Sequence, residues 1–187
     1  MSAKAAPCAE GSYGNATGLE SQANCTACPE GHSCGVGVSQ PTPCGAGTVA
    51  PNASMGTCVD CAAGTFQDEP GKQACKPCEP GSYCPEGASS PLPCKEGTYS
   101  NTTGLESDEQ CTKADPGYFA TTGSTKQTPC SPGTFAANAS SQLCLGCPDG
   151  KYQGAASATA CSSWTARHSC TTPAPRNCSG RCLVALW

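Results

Sequence analysis

The chain has 187 residues with 22 Gly, 17 Pro, 19 Cys and a net charge of −4, and cysteine at about one residue in ten signals a disulfide scaffold. Leu, Val and Phe number only 15 and Ile is absent, so a single packed core is excluded and crosslinks or metal must replace it. Ten basic against fourteen acidic residues leave no electrostatic footprint for nucleic acid, and no apolar stretch approaches the ~20 residues that span a bilayer.

Residues 1–7 (MSAKAAP) lack the apolar stretch of a signal peptide. Such a cysteine load nevertheless belongs in an oxidising compartment. The chain is therefore expected to be a piece of a larger secreted or surface protein, meeting a membrane only through regions outside it. From Cys8 onward the sequence repeats. Cysteines 8, 25, 44, 58, 61 and 75 recur at 94, 111, 130, 144, 147 and 161, each 86 residues further on. The stretch from Cys8 to Ser21 (CAEGSYGNATGLES) returns from Cys94 to Ser107 (CKEGTYSNTTGLES). This predicts a first 86-residue unit over 8–93, a second, partly degraded copy over 94–163, and an irregular basic tail over 164–187.

Each unit divides into short loops with a common opening. Three residues after each opening position comes Gly: Gly11, Gly31, Gly47, Gly64, Gly81, Gly97, Gly117, Gly133 and Gly150. Two residues later lie Tyr13, Ser33, Val49, Phe66, Tyr83, Tyr99, Phe119, Phe135 and Tyr152, a slot that holds seven of the eight Tyr and Phe residues. The pattern predicts a turn followed by a short extended run led by an aromatic. Helical periodicity is absent, and the repeated Gly and Pro leave room for strands of about two to four residues. The fold class is small and disulfide-rich: an elongated tandem array of short Cys-closed loops with minimal β-hairpins. In so apolar-poor a chain, each ring is expected to cover its own disulfide or pack on a neighbouring loop. A ligand-contacting stripe is the alternative.

Cys-x-x-Cys steps at 25/28, 58/61, 75/78 and 144/147 admit three chemistries. Zinc would need sets of four ligands, but the pattern runs on evenly and only two histidines, His32 and His168, are present. A redox pair would need a helix N-terminus to lower one thiol's pKa. Structural disulfides need only an oxidising compartment, and they are the expectation. The second copy also carries information on pairing. It has Ala114 and Ala120 where the first has Cys28 and Cys34, and it keeps Cys111 and Cys130. Joint loss is what bonded partners should show, which predicts Cys28–Cys34 and, in register, Cys78–Cys84. The ladder then closes as Cys8–Cys25, Cys44–Cys58, Cys61–Cys75, Cys94–Cys111, Cys130–Cys144 and Cys147–Cys161. Interlocked pairing across adjacent Cys-x-x-Cys steps remains an alternative. Beyond this ladder the register fails: Trp164 and Arg167 stand where Cys and Gly would recur, and Cys170, Cys178 and Cys182 leave at least one thiol without an internal partner.

The stretch PGSYCPEGASSPLPC (Pro80 to Cys94), followed directly by KEGTYSNTTGLES (Lys95 to Ser107), resembles the ephrin-receptor-like cysteine-rich module of the growth-factor-receptor cysteine-rich group. The loop from Cys147 to Cys161, opening CPDGKY, is similar to the simplest loop of tumour-necrosis-factor-receptor repeats. The resemblance covers residues 8–161, with departures at 114, 120 and 164. It implies tandem modules of large extracellular or membrane-anchored proteins, used as spacers or interaction surfaces, and no enzymatic activity.

Of six Asn-x-Ser/Thr sequons, Asn15, Asn52, Asn101 and Asn138 are expected to be glycosylated in a secretory pathway. Asn24 and Asn177 have Cys at the middle position. No catalytic constellation, cofactor motif or EF-hand calcium spacing is present. The leading expectation is a non-enzymatic extracellular stalk or adhesion segment. A receptor-type surface for a protein ligand or cell-surface partner is the first alternative, with the tail from Trp164 as its only irregular patch. A thiolate metal-binding protein is the second.

Overall fold

The computed structural model describes residues 7–14 and 21–163. The sequon at Asn15, the tail from Trp164 and the cysteines at 170, 178 and 182 lie outside the described residues. The chain divides into two compact units, Met1–Pro93 with Thr102–Cys111, and Cys94–Asn101 with Thr112–Trp187.

Among the described residues, regular structure consists of nine antiparallel two-strand hairpins and almost no helix. In the first unit β1 (Ser12–Tyr13) pairs with β2 (Thr26–Ala27), and β3 (His32–Ser33) with β4 (Thr42–Pro43). Next come β5 (Thr48–Val49) with β6 (Val59–Asp60), β7 (Thr65–Phe66) with β8 (Lys76–Pro77), and β9 (Ser82–Tyr83) with β10 (Leu92–Pro93). In the second unit β11 (Thr98–Tyr99) pairs with β12 (Thr112–Lys113), and β13 (Tyr118–Phe119) with β14 (Thr128–Pro129). The series closes with β15 (Thr134–Phe135) on β16 (Leu145–Gly146) and β17 (Lys151–Tyr152) on β18 (Ser162–Ser163). Proline ends four of the second strands, at 43, 77, 93 and 129, where its missing N–H is tolerated only because every strand here is an edge.

Each hairpin begins with the same turn. The N–H following the slot glycine donates to the carbonyl three residues back, as in Ser12 to Ala9 (3.1 Å) and Thr98 to Lys95 (3.0 Å). Such a turn requires φ > 0 at its third residue, and Gly11, Gly31, Gly47, Gly64, Gly81, Gly97, Gly117, Gly133 and Gly150 all have φ between 75° and 88°. In five hairpins a hydroxyl doubles the bond: Ser12, Thr48, Thr65, Thr98 and Thr134 each donate to the same carbonyl their own N–H reaches.

Within each unit, consecutive hairpins are joined by a repeating set of four backbone hydrogen bonds. Between the β3 and β5 hairpins, Gly31 N–H donates to Ala50 O, Cys44 N–H to Gly31 O, Ser54 N–H to Cys28 O and Cys34 N–H to Met55 O, at 2.8–3.0 Å. The same four recur between the β11 and β13 hairpins, from Gly97 to Ala120, Ala114 to Gly97, Gly123 to Cys94 and Ser100 to Ser124. No side chain takes part, so the lattice is indifferent to most substitutions. At about 0.5–1.5 kcal/mol net per bond, four bonds make each junction a substantial contact.

Buried residues are chiefly cysteines and alanines: Cys28, Cys34, Cys61, Cys78, Cys84, Cys94 and Cys130 are fully enclosed, as are Ala50 and Ala114. Among the slot aromatics only Phe66 is buried, against Cys78, Cys84 and Ala88 of the following loop. Tyr13, Tyr83, Tyr99, Phe119, Phe135 and Tyr152 are half-buried. Phe66 thus packs on a neighbouring loop as expected, while most of the fully enclosed positions belong to Cys and Ala.

The slot glycine is doubly constrained. A Cβ at Gly47 would fall on the carbonyl oxygen of Gly87, two hairpins further on, and one at Gly97 on that of Ser140. At Gly133 no described residue lies within 4 Å of that position, although φ is +88°. We therefore expect Gly133→Ala to cost only the left-handed backbone term, roughly 1–2 kcal/mol, and Gly47→Ala to cost clearly more. Denaturant midpoints of the two variants compare the terms; equal losses would show that the close approach contributes nothing.

Candidate functional site

The candidate site is the bridge ladder and the loops it holds out. Sixteen described cysteines are disulfide-bonded. The bridges are Cys8–Cys25, Cys28–Cys34, Cys44–Cys58, Cys61–Cys75, Cys78–Cys84, Cys130–Cys144 and Cys147–Cys161, with Cα–Cα distances of 5.7–5.9 Å. Cys94 and Cys111 are the other two bonded residues. The seven bridges do not cross, unlike the interlocked alternative. In the Cys44–Cys58 and Cys61–Cys75 loops the opening cysteine is buried and the closing one half-buried; in Cys28–Cys34 and Cys78–Cys84 both are enclosed.

The β13 hairpin is the exception. Ala114 and Ala120 occupy the bridge positions at 0% and 1% exposure, and they carry the same backbone hydrogen bonds as Cys28 and Cys34. Ala120 fits because its position after the first strand is also alanine at Ala50 and Ala136. A side-chain clamp joins the hairpin's two arms instead: Asp115 N–H donates to Gln127 Oε1 at 2.7 Å, and Gln127 Nε2 to Asp115 Oδ2 at 2.8 Å.

Two features beyond the sequence reading fix the loops. Gln67 is 2% exposed; its Nε2 donates to Ala74 O at 2.7 Å and its Oε1 accepts from Glu69 N–H at 3.1 Å. Gln153, its counterpart 86 residues on, does the same with Ala160 and Ala155. The second feature is another left-handed slot, at Gly37, Gly71, Gly87, Gly104 and Gly123, whose N–H groups donate to the opening residues of preceding hairpins. In three hairpins serine takes it, at Ser54 (φ 62°), Ser140 (φ 59°) and Ser157 (φ 57°). The signal was present as spacing: four residues before the closing Cys in the single-bridge loops, as Gly71 to Cys75 and Ser54 to Cys58.

Of the sequon residues, Asn52, Asn101 and Asn138 are exposed. Ser54 and Ser140, in the left-handed slot, are the hydroxyl residues of the Asn52 and Asn138 sequons. Charge is sparse. Lys76 pairs with Asp68 at 2.6 Å and lies 5.8 Å over the Phe66 ring, and Lys72 pairs with Glu69 at 2.7 Å. The lysines hold both carboxyls below their ordinary range and Asp68 holds Lys76 above its own, but such exposed pairs contribute little to stability. A depression of about 230 Å³ between Pro85 and Leu92 is lined by one loop and carries a single carboxylate, Glu86. Among the described residues no group of three or more His, Cys, Asp or Glu is placed to hold a metal. No described helix is long and apolar enough to cross a membrane.

No family model matches the chain, and no curated protein matches it significantly. What the geometry establishes is a cysteine-rich repeat of small disulfide-closed hairpins.

The serine slots give a direct test of the backbone argument. Ser157→Gly lies outside any sequon and relieves a left-handed non-glycine residue. After the extra unfolded-state entropy of glycine, a gain of about 0.5–1 kcal/mol is expected, read as a higher denaturant midpoint with unchanged slope. A loss would mean that the serine side chain, not the backbone angle, sets this position.

Proposed function

We propose that the chain is a non-enzymatic, extracellular spacer or adhesion segment of a larger secreted or cell-surface protein, of the ephrin-receptor-like cysteine-rich kind. The observation that carries this reading is that the junctions between hairpins are built from backbone groups alone. A lattice of that kind repeats without demanding particular side chains, so it sets spacing while leaving its loops free to vary. The dense bridging supports an oxidising, extracellular setting, and a disulfide sulfur is not a thiolate ligand, which weighs against the metal-binding alternative. The exposed Asn52, Asn101 and Asn138 fit glycosylation of such a segment.

A receptor-type ligand surface is the second reading, but its one sequence argument, the tail from Trp164, lies outside the described residues. Expression of the chain through a secretory pathway tests the proposal. Enzymatic removal of N-glycans should convert Asn52, Asn101 and Asn138 to Asp, and the deglycosylated chain should scatter with a radius of gyration well above the ~16 Å of a compact globule of this length. Unmodified asparagines together with a radius near ~16 Å would overturn the reading.

A further inference from the structure

We propose that the Lys126–Gln127 peptide bond is a processing site, at which an endoprotease of trypsin-like, lysine-directed specificity severs the array. The argument rests on where the bridges are and where the lysines are.

A cut inside a disulfide-closed loop only nicks the chain, because the bridge still holds the two pieces together. A cut outside every bridge separates them. Lys72 lies within Cys61–Cys75 and Lys151 within Cys147–Cys161. Lys95 lies between Cys94 and Cys111, the two remaining bonded cysteines. Lys76 stands between bridges, but Pro77 follows it, and a proline on the leaving side blocks cleavage by such proteases. The longer unbridged stretches 35–43 and 85–93 contain no Lys or Arg. Among the described residues this leaves Lys113 and Lys126, and both belong to the β11–β14 region where Ala114 and Ala120 replace a bridge. No bridge spans 112–129, since Cys94 and Cys111 both precede it and Cys130 bonds to Cys144.

A protease needs an extended segment in its cleft, so the hairpin must open. Every other described hairpin has a disulfide-bonded cysteine at its opening position, whereas the β13 hairpin has Ala114 there and is held by hydrogen bonds and the Asp115–Gln127 clamp. It is thus the hairpin that can open without reduction, and cleavage by way of an open state tracks the population of that state. Both are exposed, but Lys113 sits in β12, paired to Thr98, whereas Lys126 lies in the loop before β14. Lys126 is therefore cut first. In the reaction water adds across the bond: hydroxyl goes to the Lys126 carbonyl carbon, the C–N bond breaks, and Gln127 leaves as a free amine.

The test is limited trypsin digestion of the oxidised full chain, run without reductant. Between Cys8 and Cys161, the stretch that the described bridges cover, the expected first severing cut is after Lys126. Restoring the bridge with A114C/A120C should slow this cut roughly tenfold or more, as expected for closing a short loop, and Lys126→Gln should abolish it while leaving the fold unchanged. A stretch from Cys8 to Cys161 that stays in one piece until reduced, a first severing cut elsewhere within it, or a rate untouched by the restored bridge would each overturn the proposal. If the double-cysteine variant misfolds, loss of the cut in Lys126→Gln decides the site and amide exchange over 112–129 against the bridged hairpins decides the opening; exchange no faster there would overturn it.

Discussion

The structure depends on a backbone carbonyl and a backbone N–H meeting at a residue that has no side chain. At Gly31 the N–H donates to Ala50 while the carbonyl accepts from Cys44, and a Cβ there would strike the carbonyl of Gly71. One glycine therefore serves its own turn, the junction to the next hairpin and the passage of the one after. Only a residue with left-handed freedom and no Cβ can do all three. Disulfides close the loops of the other described hairpins and limit what the unfolded chain can explore. Ordering roughly 1–2 kcal/mol of backbone entropy per residue could not be offset by 15 Leu, Val and Phe residues.

The β13 hairpin separates the two contributions. It has the lattice without the bridge, and its backbone hydrogen bonds match those of its bridged counterpart. The bridge therefore acts mainly on the unfolded chain, restricting what the open loop can explore, and it is not what shapes the native turn. One missing bridge is tolerable where neighbours on both sides remain closed.

Much of this was legible in the sequence, and the rest was not for physical reasons. The 86-residue period, the glycine slot and the joint loss at 114 and 120 point to a chain of closed loops, because covalent and steric constraints leave exact spacing behind. The paired loss at 114 and 120 names the same two positions, 28 and 34, that the structure bonds. The second left-handed slot was hidden because serine fills it at 54, 140 and 157, breaking the glycine pattern. The buried Gln67 looked like any surface amide; its role depends on a seven-residue return to Ala74 that composition cannot express. The aromatic slot marks the first strand of each hairpin, and Phe66 packs on the following loop, but the spacing could not say that most of the fully enclosed positions belong to Cys and Ala. For function, the sequence offered sequons and a resemblance to extracellular repeat modules, and the geometry adds that the junctions between hairpins are built from backbone groups.

The central claim is that crosslinks and a backbone lattice together replace a hydrophobic core. Amide hydrogen exchange on the oxidised and the fully reduced, metal-free chain tests it most directly. The account predicts slow exchange at the junction donors Gly31, Cys44, Ser54 and Gly97 in the oxidised protein and loss of that protection on reduction. Slow exchange at these amides in the reduced chain, with cooperative unfolding retained, would contradict it.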